Sequence, residues 1–328
     1  MKIIVDAFGG DNAPLEILKG CEAAVKELGV EILLTGSEKE IKKCAAENGI
    51  SLASMEIKEA PDIMLMTDHA ADILKSKGNT SMAVGLKALA AGEGSAFVSA
   101  GSTGALVMGA TFIVKRIRGI KRAAIAAIMP TNGGPVMLID MGANVDCDPL
   151  YLQQFAVMGD IYMKKVMGFA SPRIGLANIG TEETKGGKLQ LETYELMKNA
   201  AYNFIGNVEA RDIPFGGCEV VVSDGFTGNI ILKMYEGVAG AIMANLKTIY
   251  KKSIFTKLSA LMVKGGLTEF KNKMDYTEFG GAPLMGINGA VIKAHGSSNA
   301  KAIKNAVKQA KIFAEQDVVK AITESLMN

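Results

Sequence analysis

Asp224, Thr227 and Asn229 fall within the short segment Ser223-Asp-Gly-Phe-Thr-Gly-Asn229, directly after the valine run Val220 to Val222. A carboxylate, a hydroxyl and an amide this closely spaced beyond a strand end can hydrogen-bond a polar substrate. Gly225 and Gly228 permit a tight turn and close approach of a ligand to the backbone. The helix that follows offers free N–H groups to an anion. The same residues also make an ordinary helix cap, with Asp224 or Thr227 bonding backbone N–H groups, so this segment alone leaves cap and site both open.

The pattern recurs. Ile3 to Pro14 ends in Asp6, Gly9, Gly10, Asp11 and Asn12; Val98 to Gly104 ends in Ser102, Thr103 and Gly104. Leu138 to Asp146 carries Asn144, and Gly175 to Gly186 carries Asn178 and Lys185. Each reads as an apolar strand closing in small and polar residues. Five such loops at strand ends are expected to converge on one crevice. None matches the dinucleotide pattern Gly-x-Gly-x-x-Gly, and the stretch from Gly180 to Lys188 lacks the first glycine and the trailing Ser or Thr of a P-loop. The two histidines, His69 and His295, make no zinc cluster and accompany no Gly-x-Ser-x-Gly elbow. Either can serve as a structural hydrogen-bonding group, but His295 is the better functional candidate because His295-Gly-Ser-Ser298 is another small polar loop after Ala290 to Ile292. A crevice of backbone N–H groups, amides and one lysine suits an anionic substrate that brings its own nucleophile, with no metal or cofactor.

Elements able to position these loops alternate along the chain. Strands are expected near Ile3 to Val5, Glu31 to Leu34, Ala96 to Ser99, Ala124 to Ile128, Val136 to Ile139, Ile174 to Ala177 and Val220 to Val222. Helical patterns cover Leu15 to Leu28, Ser81 to Ala91, Thr103 to Lys115, Leu150 to Met167 and Leu189 to Asn199. Repeated βα units imply an α/β fold with a mostly parallel sheet covered on both faces. No sequence repeat or Pro/Ser-rich linker marks a lobe boundary.

At 328 residues, 49% hydrophobic and 21% charged, the chain can bury a large core, as one α/β unit or as two lobes sharing a sheet. A net charge of +2 without a basic tail gives no case for nucleic-acid binding. Four scattered cysteines and a start without a secretory apolar core lead to the expectation of a reduced, cytoplasmic protein. The uncharged stretch Ser95 to Val114 is long enough to span a bilayer, but its internal Ser-Ala-Gly-Ser-Thr-Gly turn divides it into a buried strand and a buried helix.

Together Asp6-Ala-Phe-Gly-Gly-Asp-Asn-Ala-Pro14, Ser99 to Ala105, Asp140 to Asp146, Asn178 to Gly186, Gly206 to Asp212, Ser223 to Asn229, Gly280 to Pro283 and His295 to Ser298 resemble the PlsX family, in order and over nearly the whole chain. These phosphate acyltransferases convert acyl carrier protein thioesters and inorganic phosphate into acyl phosphates for phospholipid synthesis. The resemblance implies a three-layer, Rossmann-like α/β/α sandwich over residues 1–328, a homodimer, and peripheral attachment to the inner face of the cell membrane, where a glycerol-3-phosphate acyltransferase would take the product. It maps the catalytic pair to Lys185, on phosphate or the developing oxyanion, and Asn229, on the carbonyl oxygen or phosphate. From the residues alone, Lys185 reads equally as a solvated loop lysine. Phe8 and Asn12 stand where the family usually has Met and His, and Ser102 where it has Asn; Asn12 could still donate to phosphate.

The chemistry agrees with the family. Phosphate is anionic at neutral pH, so attack on a thioester needs positioning and oxyanion stabilisation more than a strong base, and a thiolate with a pKa of about 8.5 leaves without a dedicated acid. The resemblance makes 230–275 a dimerisation helix followed by a membrane-facing hairpin. Ile231, Met234, Val238, Ile242 and Leu246 recur at helical spacing, as burial against the core or a partner subunit requires. Beyond them Ile254, Phe255, Leu258, Leu261 and Met262 share one helical face in a segment holding seven lysines and one acid between Lys247 and Lys273. That composition fits an anionic membrane surface or packing on the protein itself. A nicotinamide-dependent dehydrogenase of similar fold and a non-catalytic membrane scaffold are the competing classes.

Overall fold

A computed structural model of the chain describes residues 1–273 and 280–326, with backbone only at 268, 269 and 271–273. Strands and helices alternate from the start: β1 (Lys2–Asp6), α1 (Leu15–Leu28), β2 (Glu31–Gly36), α2 (Glu38–Asn48), β3 (Met55–Glu59), α3 (Ser81–Ala90), β4 (Ala96–Ser99) and α4 (Thr103–Gly109), which runs on as a π-helix over Ala110–Lys115. There follow β5 (Ala124–Thr131), β6 (Gly134–Ile139), α5 (Pro149–Lys165), β7 (Ile174–Asn178), α6 (Lys188–Lys198), β8 (Phe204–Glu209), β9 (Val220–Val222) and α7 (Gly225–Lys251). The chain continues with α8 (Ile254–Met262), α9 (Lys264–Lys273), β10 (Ala282–Met285), β11 (Ala290–Lys293), α10 (Ala300–Glu315) and α11 (Val318–Ser325). The uncharged stretch from Ser95 becomes β4 and α4, and among the described residues no helix is long and apolar enough to cross a membrane.

The eleven strands form one sheet in the order β3-β2-β1-β4-β11-β10-β5-β6-β9-β7-β8. Side chains alternate across it, as the pleat dictates. Ile3 and Val5 face a core shared with α1, α5 and α10, while Ile4 between them packs with Met82 and Leu86 of α3 and Leu106 of α4. Helices thus cover both faces, giving the expected three layers.

Most strand pairings are parallel, but three successive ones, β11 with β10, β10 with β5 and β5 with β6, are antiparallel. The sheet therefore consists of two parallel blocks running in opposite senses. The expectation of alternating βα units fails locally at β5 and β6, which form a hairpin closed at Thr131 and Gly134. Only β10 and β5 lie between the two blocks, so the reversal is completed over three strand spacings, about 14 Å across the sheet. This brings the carboxyl-end loops of the two blocks to opposite margins of one face, beside β5.

Candidate active site

At the end of the first block, Asp6 is buried and accepts from Ser99 Oγ at 2.7 Å and from Phe8 N at 3.2 Å. Burial pushes its carboxyl up, against the Ser81 and Ser99 hydroxyls and the N–H groups of Phe8 and Gly9. Gly9 is obligatory here: a Cβ would lie 2.6 Å from Asp6 Oδ2 and 2.7 Å from Gly101 N. Gly10 turns the chain with φ of 101°, and Asp11 N then donates to Gly296 O at 2.8 Å. Asn12 donates its amide to Ser297 O and Ser298 O at 3.1 and 3.3 Å, so its side chain ties the first loop to the His295 loop. Phe8 packs against Gly36, where a Cβ would meet its ring at 2.4 Å. Ser102 is the buried residue preceding α4, whose first turn contains Thr103 and Gly104.

The second block ends in an analogous arrangement. Asp140 is fully buried beyond β6; Oδ1 accepts from Ile125 N, Gly142 N and Ala143 N, and Oδ2 from Asn144 N and Asn144 Nδ2. Burial raises its pKa, against the Asn144 amide and the N–H groups of Ala143, Ile125 and Asn144. Ser223 Oγ donates to Asp140 O at 3.1 Å, as Ser99 donates to the Asp6 carboxylate in the first block. The loops after β4 and β9 share Val-Ser-x-Gly-x-Thr-Gly, Val98 to Gly104 and Val222 to Gly228, a short repeat that corrects the reading of the sequence as repeat-free. Asp224 caps α7, accepting from Thr227 N and Thr227 Oγ1 at 2.8 Å each, so the cap reading of this segment holds for Asp224. Gly225 and Gly228 let α7 start against the Asp140 loop: Cβ atoms there would lie 2.6 Å from Asn144 O and 1.9 Å from Asp140 O.

Between the two sets of loops lies a cavity of about 1040 Å³, at the upper end of the range for small-molecule sites. Its polar lining includes Thr103, Asn144, Asn229, Lys293 and His295, with Gly104 beside them, and Arg116, Arg122, Lys233, Tyr235 and Glu236 elsewhere on its walls. Val107, Met108, Phe112, Ile125, Met129, Met141 and Met243 give it extensive apolar walls. Asn229 donates one amide N–H to Met141 O at 3.0 Å, which fixes the amide and leaves its second N–H for a ligand. Asn144 is spent structurally, on Ala123 O at 2.7 Å and on Asp140. His295 Nδ1 is 2.9 Å from Ser297 Oγ.

Lys293 is a candidate that motif reading misses. It ends β11, where an apolar strand delivers its one lysine into the cavity, and that position at a strand end was the available signal. Its Nζ donates to Ala294 O and, at 3.4 Å, to Ala100 O. Burial drives the ammonium down to about 8, although Asp6 and Asp11 pull the other way. A cation held in so poorly solvated a site gains more from an incoming anion than a surface lysine does.

The five loops do not all share this cavity. Residues two apart on a helix are rotated by about 200°, so near the start of α7 Asn229 faces the large cavity while Thr227 faces a second one of about 320 Å³. Asn178 also lines the second cavity, and its Nδ2 holds Lys185 O at 3.0 Å. Lys185 lines neither; its half-exposed ammonium lies 3.9 Å from Glu182. Asn229 thus lines the large cavity, and Lys185 is not brought to it. Among the described residues no cluster of three or more His, Cys, Asp or Glu is placed to hold a metal ion.

Helix α7 spans 27 residues, about 40 Å, yet only Gly225 and Gly228 in its first turn are buried. Met234, Val238 and Ile242 of its apolar stripe are exposed, so burial in the chain's own core does not account for them. In α8, Ile254, Phe255, Leu258, Leu261 and Met262 are 62–85% exposed, which excludes packing of that face on the described residues. Met274 and Asp275, at the end of the expected hairpin, lie outside the described residues.

A model of the fatty acid synthesis protein family matches residues 1–321. The phosphate acyltransferase of Caldanaerobacter subterraneus subsp. tengcongensis is 49% identical over 327 residues, covering 99% of this chain and 97% of that protein. The phosphate acyltransferase of Thermoanaerobacterium thermosaccharolyticum is 46% identical over 326 residues, with 99% and 97% covered. Among solved structures, a phosphotransacetylase from Streptococcus pyogenes superposes with a TM-score of 0.64 at 18% identity, covering 98% of this chain and 94% of that one. That last likeness speaks for the fold alone.

Proposed function

Since the chain belongs to the fatty acid synthesis protein family, that of the PlsX phosphate acyltransferases, we propose that it transfers a fatty acyl group from an acyl carrier protein thioester to inorganic phosphate. The observation that carries this reading is the composition of the large cavity, apolar walls with Lys293, Asn229, Thr103 and His295 among them. An acyl chain entering it is stabilised by about 0.8 kcal/mol per buried methylene. Phosphate held by the Lys293 ammonium supplies the nucleophilic oxygen. That oxygen attacks the thioester carbonyl, and the free N–H of Asn229 stabilises the negative charge developing on the carbonyl oxygen. The attack forms the C–O bond of the acyl phosphate in a tetrahedral adduct; its collapse restores the carbonyl and breaks the C–S bond, and the thiolate leaves with its electron pair and takes a proton from water. Lys185, which lines neither cavity, keeps only the role the family resemblance gives it.

The surfaces beyond the cavity support the rest of the reading. The exposed apolar stripe of α7 suits a second copy of the chain, and α8 suits the inner face of an anionic membrane. The acyl phosphate would there meet a glycerol-3-phosphate acyltransferase in phospholipid synthesis, from an enzyme otherwise in the cytoplasm. Purified protein is expected to release free thiol from palmitoyl carrier protein at a rate that rises with added phosphate and saturates. Thiol release indifferent to phosphate would make the protein a thioesterase and remove the proposal.

A further inference from the structure

We propose that the basic loop 115–122 is the docking surface for the acidic carrier protein that presents the thioester, an inference that rests on the acyl transfer proposed above. Lys115, Arg116, Arg118, Lys121 and Arg122 place five cations in eight residues without one acid, in a chain whose net charge is only +2. All five are exposed, and none makes an ion pair with a described residue. Arg122 lies over the Tyr151 ring at 5.6 Å and Arg116 donates to Lys121 O, contacts that orient both guanidinium groups without neutralising them.

The loop is held rigidly. Ile117 and Ile120 are buried beneath it, and Ile117 N donates to Gly286 O at 3.0 Å. Gln154 of α5 clamps it from the other side, accepting from Lys121 N at 2.9 Å and donating to Gly119 O at 3.0 Å. A partner therefore meets charges whose backbone is already ordered, which lowers the cost of association.

Position identifies the partner's task. Arg116 and Arg122 line the same cavity as Asn229 and Lys293, so whatever neutralises the loop sits beside the opening through which an acyl thioester must pass. A protein with an acidic face and a flexible thioester arm fits that requirement. An anionic bilayer fits less well: the loop's own apolar side chains, Ile117 and Ile120, point into the core, leaving nothing to insert, whereas α8 shows five exposed apolar side chains. Electrostatic attraction of this kind accelerates encounter and weakens with salt.

The test uses the full chain and an acyl carrier protein bearing a fluorescent label and a non-hydrolysable palmitoyl thioether, followed by anisotropy at low and at physiological salt. Arg118→Glu combined with Lys121→Glu, neither of which lines the cavity, is expected to raise Kd at least about tenfold, with the neutral Arg118→Gln/Lys121→Gln pair intermediate. Lys39→Glu, on α2 at the far edge of the sheet, is expected to bind as the wild type does. Acyl phosphate formation from palmitoyl-pantetheine, which needs no protein docking, is expected to be unchanged in the double variants, showing an intact site. Unchanged carrier binding overturns the proposal, as does reduced binding to phosphatidylglycerol vesicles with carrier binding intact, which would assign the loop to the membrane. Equal loss with carrier and pantetheine substrates in both double variants also overturns it, by making the loop structural. Absence of acyl phosphate from the wild type with either thioester would instead defeat the proposed acyl transfer.

Discussion

Replacing Lys293 by Met removes the cavity's partly buried ammonium while keeping the length of the side chain. The depression of its pKa from 10.5 to about 8 means that, below pH 8, the empty fold disfavours the charged lysine by about 3 kcal/mol. Losing the bonds to Ala294 O and Ala100 O costs about 1 kcal/mol each. The variant is therefore expected to be as stable as the wild type at pH 7, or more stable by about 1 kcal/mol, in urea denaturation. Catalysis should move the other way. Loss of a hydrogen bond from a charged donor to phosphate is worth about 1.5–3 kcal/mol, so kcat/KM for phosphate should fall by about ten- to more than a hundredfold. The pH dependence adds a second readout. Lys293 releases its proton at lower pH in the folded than in the unfolded chain, so its destabilisation is full below pH 8 and fades as pH rises toward 10.5; the wild type should gain on the variant across that window. Wild-type kcat/KM for phosphate should fall about tenfold per pH unit above about pH 8, as the ammonium titrates in the free enzyme, and the variant should lack that break. A variant that keeps its phosphate kcat/KM, or that loses more than about 3 kcal/mol of stability, would show Lys293 to be a packing residue and refute the reasoning.

Three further outcomes follow from named contacts. Asn229→Ala should lower turnover by about a hundredfold or more while the protein stays folded; near-normal turnover would remove its amide from the mechanism. Gly228→Ala places a Cβ 1.9 Å from the backbone oxygen of Asp140, which no side-chain motion can relieve, so urea denaturation should report a loss of about 1–3 kcal/mol or more, and wild-type stability would mean that α7 does not start where described. Leu258→Glu, on the exposed face of α8, should abolish flotation with phosphatidylglycerol vesicles, and unchanged flotation would show that α8 is not the anchor.

Much of the fold could be read from residue patterns. The β-branched run at Val220 to Val222 and the apolar run at Ile3 to Val5 are strands because both faces are buried, and the glycines after them sit where a Cβ has no room. β3 escaped notice because Met55 to Glu59 is an edge strand with alternate charged residues and no buried side chain. β10 was hidden by its four-residue length and Pro283, and α10 and α11 were not singled out, although both have apolar faces packed on the core. The reversal of direction through β10 and β5 depends on those short strands, so the meeting of two opposed sets of loops could not be inferred. The division of labour within one helical turn, Asn229 to one cavity and Thr227 to another, requires knowing how α7 is rotated. The Val-Ser-x-Gly-x-Thr-Gly repeat was present in the sequence, but seven residues acquire meaning only once β1 beside β4 and β6 beside β9 place Asp6 and Asp140 in corresponding positions.

Incubation of the purified protein with palmitoyl carrier protein and inorganic phosphate, with hydroxylamine added to trap acyl phosphate, tests acyl transfer to phosphate most directly. Palmitoyl hydroxamate beyond the enzyme-free control should form in step with free thiol, and should vanish when phosphate is omitted. Folded protein that yields no such hydroxamate, or yields it equally without phosphate, would contradict the assignment.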